Sequence, residues 1–581
     1  MDCNKDQIIY VTLKYLFAKV SMIKTGIRKI GWLDKLNLAT KPFQQKLNMK
    51  LNRPYFSAIP LLLILGCQNN PQEQRRPNIL FAISDDQSFA HTSFNGSEFV
   101  KTPAFDRVAR EGIYFTNCYA GSPGCAPSRS SIVTGRHHWQ NEQSGQHASA
   151  WLKKYVPFVD LIEKNGYSIG RTGKGVGPFQ YARTAEDSLW RTSDAAGVSH
   201  SNLTYGDNDD ERFAAGISNT NYFGNFRHFL DQKEKEKPFF FWFGGKEPHR
   251  AYEKGSWKKM GKKLDDAEVP GFLPDVAEVR GDMLDYAVEI EWFDLHLQRM
   301  LEHLDAIGEL ENTIVIVTSD NGMPFPSAKA NSYEYGVHVP MAIRYPKGFA
   351  ENTRINTPVS FVDIAPTILD ITNTPSKGML PITGISMLEI LEGSETPKKD
   401  KAVFSGRERH SSSRYLNWGY PQRSIRKGDY LLVWNIRPER WPAGAPQKFD
   451  ANDSNKLLPM YGLDKFGKYI PQGSFTDIDD CPTKTYLVEN HKEETVEKYF
   501  NLAVGKRPEF QLFNIADDPY CMENLSGLSA NKAIEEALKT DLINELTKSN
   551  DPRLVGPDKA IFDTYKRYSS MRKFPNTENM N

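Results

Sequence analysis

From residue 78 onward the chain carries short apolar runs that stop abruptly at small or polar pairs. Asn78 to Ser84 is one and ends in Asp85-Asp86. Phe239 to Phe243 is another and closes on Gly244-Gly245. Thr313 to Ser319 ends in Asp320-Asn321. Runs of this length without alternation predict parallel strands buried on both faces. Helical patterns lie between them. Pro103 to Gly112 has its proline in the first turn and its glycine at the end. Met283 to Leu304 places Leu284, Val288, Trp292, Leu295 and Leu301 near one stripe. The alternation predicts an α/β fold, a large mixed and mainly parallel sheet sandwiched by helices. Past about Pro397 the pattern changes. Arg423 to Asn435, with Lys427-Gly428-Asp429 before Tyr430 to Trp434, reads as a hairpin, and Phe510 to Asn514 as a further short strand. A smaller C-terminal α+β domain with an antiparallel sheet is predicted there, followed by a helix over Lys532 to Lys548 and a polar tail.

The first residues follow another logic. After Met49 come Lys50 and Arg53, an apolar run from Tyr55 to Leu65, and Ile64-Leu65-Gly66-Cys67. This is the layout of an export signal ending in a lipobox, with an apolar run too short to span a bilayer. Met49 is then the initiator and Cys67 the lipidated first residue. A plain secretory signal or a buried apolar segment are the alternatives. The expected divisions are 1–48 outside the mature protein, 49–67 signal, 68–76 tether, 77–396 main domain, 397–530 smaller domain and 531–581 terminal helix and tail. The expected location is the periplasm or the outer-membrane surface of a bacterium, with membrane contact only through a lipid at Cys67.

Of 581 residues, 39% are hydrophobic and 25% charged, and the net charge is +1. Such balance gives no global field to attract nucleic acid, so any anionic substrate must be met by local charges. Six cysteines are scattered, with no zinc-type spacing. Cys481 and Cys521 can pair in an exported protein or stand as two thiols, and both readings stay open.

Two features carry chemistry. Asp85-Asp86 and Asp320-Asn321 sit at matching strand ends, where open α/β sheets build their sites. Three carboxylates and an amide oxygen brought together call for a hard cation, Ca²⁺ or Mg²⁺. Each pair taken singly is only a turn or a helix cap. The second feature is Cys125-Ala126-Pro127-Ser128-Arg129, placed just before a helix whose N-terminus favours an anion.

Cys-x-Pro-Ser-Arg followed by Thr134-Gly135 resembles the signature of the formylglycine-dependent sulfatases of the alkaline phosphatase superfamily. Asp85, Asp86, Asp320 and Asn321 resemble that family's calcium ligands. Lys329 in Lys-Ala-Asn-Ser-Tyr-Glu-Tyr-Gly, Pro248-His249-Arg250, and Leu512 to Pro519 extend the likeness over roughly residues 75–530. The resemblance implies an alkaline-phosphatase-like fold. It implies that a formylglycine-generating enzyme converts Cys125 to 3-oxoalanine (formylglycine), whose hydrate attacks sulfur. It implies Ca²⁺, with Mg²⁺ second, held by Asp85, Asp86, Asp320, Asn321 and residue 125. Arg129 would hold the hydrate, Lys174 and Lys329 the sulfate, and His249 would protonate the leaving group, an effect worth ~10²–10⁴-fold. One departure stands out. Where the family shows Lys-x-His, this chain has Lys174-Gly175-Val176. His137 and His138 are candidates to replace that histidine, against a reading as surface residues.

Thr318 to Ser327, Glu247 to Arg250 and Tyr420 to Arg423 are most similar to the sulfamidase (heparan N-sulfatase) branch. The expected substrate is a sulfated polysaccharide or oligosaccharide carrying O-sulfate esters, ulvan or a glycosaminoglycan for example. Hydrolysis of N-sulfoglucosamine and a non-catalytic glycan binder are the alternatives. Glu408-Arg409-His410 is expected to reach a sugar, with His410 as substrate-binding residue. A zinc phosphatase or phosphodiesterase is disfavoured by Cys125 and Asn321.

Overall fold

The computed structural model describes residues 75–181, 189–206, 211–394, 398, 400–446, 471 and 474–568. The export signal with Met49 and Cys67, most of the tether and the tail past residue 568 lie outside the described residues.

Strands β1 (Asn78–Ser84), β2 (Ile113–Tyr119), β3 (Ser168–Gly173), β4 (Phe239–Gly244), β5 (Thr313–Ser319), β6 (His338–Arg344), β7 (Thr353–Ile355) and β8 (Val359–Ser360) form one sheet. Its order is β3-β4-β1-β5-β6-β2-β7, with β8 also on β2. The contacts β3-β4-β1-β5 are all parallel, and β6 alone runs against its neighbours β5 and β2. The expected mixed, mainly parallel sheet is therefore present.

All seven residues of β1 are buried, and alternate side chains feed two cores, as a period of two demands. Ile79, Phe81 and Ile83 pack with Ile132 and Val133 of helix α2 (Cys125–Thr134), Phe158 and Ile162 of α3 (Phe158–Lys164), and Ile364 and Ile368 of α6 (Ile364–Ile371). Leu80 and Ala82 pack with α1 (Pro103–Glu111), with Phe226 and Phe229 of α4 (Tyr222–Gln232), and with Phe293, Leu297 and Leu301 of α5 (Ala277–Ala306). Truncating one of these fully buried side chains to alanine costs about 2–5 kcal/mol.

Helix α5 starts before the expected Met283. Its first turns are polar because Asp282 is buried there as the partner of Arg250, at 2.7 Å. Strand β6 was hidden by Pro340. Pairing with β5 ends at Met341, and on the β2 side the register breaks between Phe115 and Cys118. The proline therefore falls where no ladder N–H is demanded.

The second sheet is antiparallel, β9 (Val403–Arg407), β10 (Gln422–Lys427), β11 (Tyr430–Asn435) and β12 (Phe510–Asn514), in the order β12-β11-β10-β9. Helices α7 (Pro482–Glu489) and α8 (Glu494–Val504) precede β12. Leu538, Leu542 and Leu546 of α9 (Lys532–Lys548) close one face of this sheet with Trp139, Ile425, Leu432 and Leu512. Cys481 and Cys521 are separate free thiols. Among the described residues, no helix is long and apolar enough to cross a membrane.

Candidate active site

Parallel register brings the two oxygen-rich pairs together. Ser84 lies beside Ser319 across β1 and β5, so Asp85-Asp86 and Asp320-Asn321 emerge side by side. The Asp86 N–H donates to Asp320 Oδ1 at 3.0 Å, and Asn321 Nδ2 to Asp86 Oδ1 at 2.7 Å. Asp86 holds φ at +77°, a conformation a non-glycine residue keeps only where its surroundings impose it. The oxygens of Asp85, Asp86 and Asp320 approach within 4.8 Å of one another.

The neighbouring strands deliver the rest. Lys174 follows β3, and its N–H donates to Gly244 O at 2.8 Å. Its own carbonyl passes so near Gly244 that a Cβ there would lie 1.7 Å from it, which is why β4 ends in glycine. His249 follows β4. Its Nδ1 lies 2.6 Å from Arg250 O, which can only accept, so Nδ1 carries the proton. Nε2 is thereby left facing the carboxylates, 3.9 Å from Asp86 Oδ2. Helix α2 contributes Cys125 in its first turn after Gly124, and Lys329 comes from the excursion between β5 and β6.

Three cations meet three carboxylates. Arg129 Nε is 2.6 Å from Asp320 Oδ2, Lys174 Nζ 2.5 Å from Asp85 Oδ2, and Lys329 Nζ 2.6 Å from Asp86 Oδ2. Burial is the largest single influence on Asp85 and works against its charge, but Lys174, His249 and Arg129 together hold the carboxyl below its ordinary range. Burial pushes Asp320 up in spite of Arg129. Burial also pushes up the Cys125 thiol, with Lys174 and Lys329 pulling down and Asp85 and Asp320 pushing up. The unmodified thiol is thus a poor nucleophile at neutral pH. Arg129 also donates to the carbonyls of Lys174, Gly175 and Ser84, binding the ends of three elements together.

This donor set fits a hard cation. Asp85 Oδ1 and Asn321 Oδ1 are buried without a hydrogen-bond partner, and buried acceptors left in this way suit a cation with oxygen ligands.

Some expectations change. His137 and His138 are neither surface residues nor part of the site. His138 is buried with Nδ1 near Gly145 O at 3.1 Å, and His137 stacks on Trp139 near Glu545. Both belong to the seam under the second sheet. The Val176 side chain lies in the core and its N–H binds Asp194. Glu408 and Arg409 do not reach outward either. Glu408 is buried between Arg423 and Arg553, and Arg409 binds Tyr565 O and Ser149. His410 does face the site. A side chain at Gly124 would meet its Nδ1 at 3.2 Å. The His147 ring lies 5.8 Å from that of His410. Burial keeps both imidazoles neutral, His410 down to about 3.

The sequence reading missed His147, Asp479 and Lys246. Asp479 Oδ2 is 3.0 Å from Lys329 Nζ. Lys246 lines a cavity of about 450 Å³ together with Lys174, Asp85, His249, Asn219 and Glu289. That size suits a small ligand.

A sulfatase family model matches residues 77–374. Human N-sulphoglucosamine sulphohydrolase is 26% identical over 547 residues, covering 87% of this chain and 96% of that protein. An ulvan-active sulfatase of Formosa agariphila is 25% identical over 527 residues, covering 82% and 76%. A solved structure in complex with its substrate D-glucosamine-2-N,6-O-disulfate shares the fold, with a TM-score of 0.57 at 20% identity over 82% of this chain and 99% of that one.

Proposed function

Since the chain belongs to the sulfatase family of hydrolases, we propose that it removes O-sulfate ester groups from a sulfated carbohydrate, with residue 125 as nucleophile. The observation that carries this reading is the convergence of Cys125, three carboxylates and three cations at the carboxyl ends of adjacent strands. Its relatives named for glucosamine N-sulfate and for ulvan support a glycan as substrate.

The maturation partner is a formylglycine-generating enzyme acting on Cys125. Asp85, Asp86, Asp320 and Asn321, with residue 125, are the proposed ligands for Ca²⁺. When present, hydrated formylglycine supplies the attacking hydroxyl and Ca²⁺ supplies positive charge for the sulfate oxygens.

The chain's own residues do the following. Lys174 and Lys329 turn from their carboxylates toward the sulfate and hold it for in-line attack. Arg129 fixes α2 against β1 and β5, so that residue 125 stays aligned. His249, as the imidazolium with its Nδ1–H held by Arg250 O, delivers its Nε2 proton to the departing sugar oxygen and is left neutral. His410, neutral beside Gly124, is the proposed base that accepts the hydroxyl proton when sulfate is expelled, in place of the side chain absent at Val176. A sugar-binding role for His410 is the alternative use of the same imidazole.

Hydrolysis of N-sulfated glucosamine is the second reading, supported by the length of the match to the human enzyme. It asks the same of His249, with nitrogen in place of oxygen. Export through Met49 to Cys67 is also proposed, to the periplasm or outer membrane as a lipoprotein. Labelling with radioactive palmitate, lost in Cys67→Ala, tests it.

Free sulfate released from a panel comparing N-sulfated glucosamine with O-sulfated algal and heparan fragments tests the function. Release from an O-sulfated fragment, abolished in Cys125→Ala, is expected. Release from N-sulfated glucosamine alone selects the second reading, and no release by protein shown to carry formylglycine refutes both.

A further inference from the structure

Asp479 belongs to none of the elements described so far. It lies in a loop before α7, and that loop is held rigidly on both sides. Two residues earlier, Asp477 accepts from Arg407 at 2.8 Å and Arg414 at 2.5 Å, and from Ser411 and Ser413 hydroxyls at 2.6 and 2.9 Å. Arg407 and Arg414 hold the Asp477 carboxyl far below the usual range despite its burial. On the far side, Lys484 Nζ binds Ile478 O and Asp480, and Thr483 Oγ1 donates to Asp282 Oδ2 at 2.6 Å, the same aspartate that clamps Arg250 beside His249. Asp477 and Asp480, the other acids of the Asp477–Asp480 stretch, are thus committed to these partners. Asp479 is turned into the site.

There it shares Lys329 with Asp86, at 3.0 Å against 2.6 Å, and its carboxylate, that of Asp86 and a His249 ring nitrogen all lie within 4.8 Å of one another. Asp479 is not among the proposed calcium ligands, and its carboxylate, 28% exposed beside His249, stays open to a ligand on the leaving-group side. A carboxylate there has three consequences. It accepts from any O–H within reach. It repels a second sulfate or a carboxylate at the same position. And because two vicinal oxygens of a sugar lie about one hydrogen-bond length apart, a hydroxyl next to the oxygen served by His249 falls into its reach.

We propose that Asp479 is a specificity-determining residue that accepts a hydrogen bond from a free hydroxyl vicinal to the scissile sulfate, and so selects sugars unsulfated at that neighbour. This rests on the reading of the protein as a glycan sulfatase. Ionised Asp479, held below the ordinary carboxyl range by Lys329 and His249 against burial, agrees with it.

The test compares wild type, Asp479→Asn and Asp479→Ala on three forms of whichever monosulfated methyl glycoside the protein hydrolyses: the parent, its vicinal deoxy analogue and its vicinal disulfate. An aryl sulfate serves as reference, and calcium and formylglycine contents are measured in each protein. Wild type should prefer the parent over both analogues by at least tenfold in kcat/KM. Asp479→Ala should bring the deoxy preference below about threefold. Asp479→Asn, still an acceptor but uncharged, should keep part of the deoxy preference and lose most of the disulfate rejection. Wild type indifferent to the neighbour, or equal losses on all three glycosides, would overturn the proposal while leaving the sulfatase reading intact. Loss of calcium from Asp479→Asn would overturn it by making Asp479 a metal ligand. Turnover of the aryl sulfate with no glycoside hydrolysed would sink the glycan reading and this one with it.

Discussion

Arg129 Nε meets Asp320 Oδ2 at 2.6 Å, and neither side chain is exposed to solvent at all. The pair joins the helix that carries Cys125 to the end of the strand that leads into Asp320-Asn321, so its loss should be felt in both stability and activity.

Arg129→Ala leaves a buried carboxylate without its partner, which costs about 3–5 kcal/mol. The loss should be largest in chelator and smaller with calcium added. It should also grow as pH rises above the ordinary carboxyl range of about 4. Burial already pushes Asp320 up, and without the guanidinium the folded state keeps a proton that the unfolded chain has lost. A group whose carboxyl is raised in the fold weakens stability as pH rises toward that raised value. Urea midpoints across a pH series, with and without calcium, check this.

Asn321 Oδ1 is a buried acceptor with no partner. Asn321→Ala should weaken calcium binding by about tenfold or more, measured by titration calorimetry. The melting rise on adding saturating calcium should shrink with it. An unchanged affinity would remove Asn321 from the ligand set.

His249→Gln should lower kcat by about 10²–10⁴-fold on a glycoside sulfate, whose leaving oxygen needs a proton. On an aryl sulfate with an acidic phenol the loss should be much smaller. Equal losses on both would point to a positioning role for the imidazole.

Asp563 binds Arg553 and Arg440, at 2.9 and 3.0 Å, in the network that holds Glu408 and so the strand leading to His410. Burial opposes its ionisation, but the two arginines lower the carboxyl to about 2. A lowered carboxyl contributes stability that is present above its unfolded range and lost as pH falls through the folded value. Asp563→Asn should therefore cost about 1–2 kcal/mol at pH 7, discounted for partial exposure. The gap to wild type should close between about pH 4 and pH 2, as followed by urea midpoints.

How much of this was legible in the sequence depended on the kind of residue. Strands β1, β4 and β5 were visible because burial on both faces leaves unbroken apolar runs. The sheet-edge strand β3, with only Ile169 strongly apolar, and β6, interrupted by Pro340, carry no such signal. Asp85, Asp86, Asp320 and Asn321 were legible because they follow strands directly, so chain position and spatial position coincide. Asp479 and His147 were not. They approach from loops distant in sequence, and only the pairing of Lys329 with Asp479 and the seating of His410 against Gly124 bring them in. His137 and His138 failed as candidates for a related reason. Nearness in sequence to Cys125 takes them past the C-terminal end of α2, into the seam with the second sheet.

Cys125 is only 3% exposed, with Asp85, Lys174 and Asp320, which follow β1, β3 and β5, and Lys329 around it. An enzyme that must grip the segment around position 125 could not do so on the finished molecule. The proposed maturation therefore imposes an order of events. Oxidation comes while the chain is still open, and the completed sheet then seals the product. Protein folded before oxidation stays a thiol, and no later supply of the maturation enzyme rescues it unless the chain first unfolds.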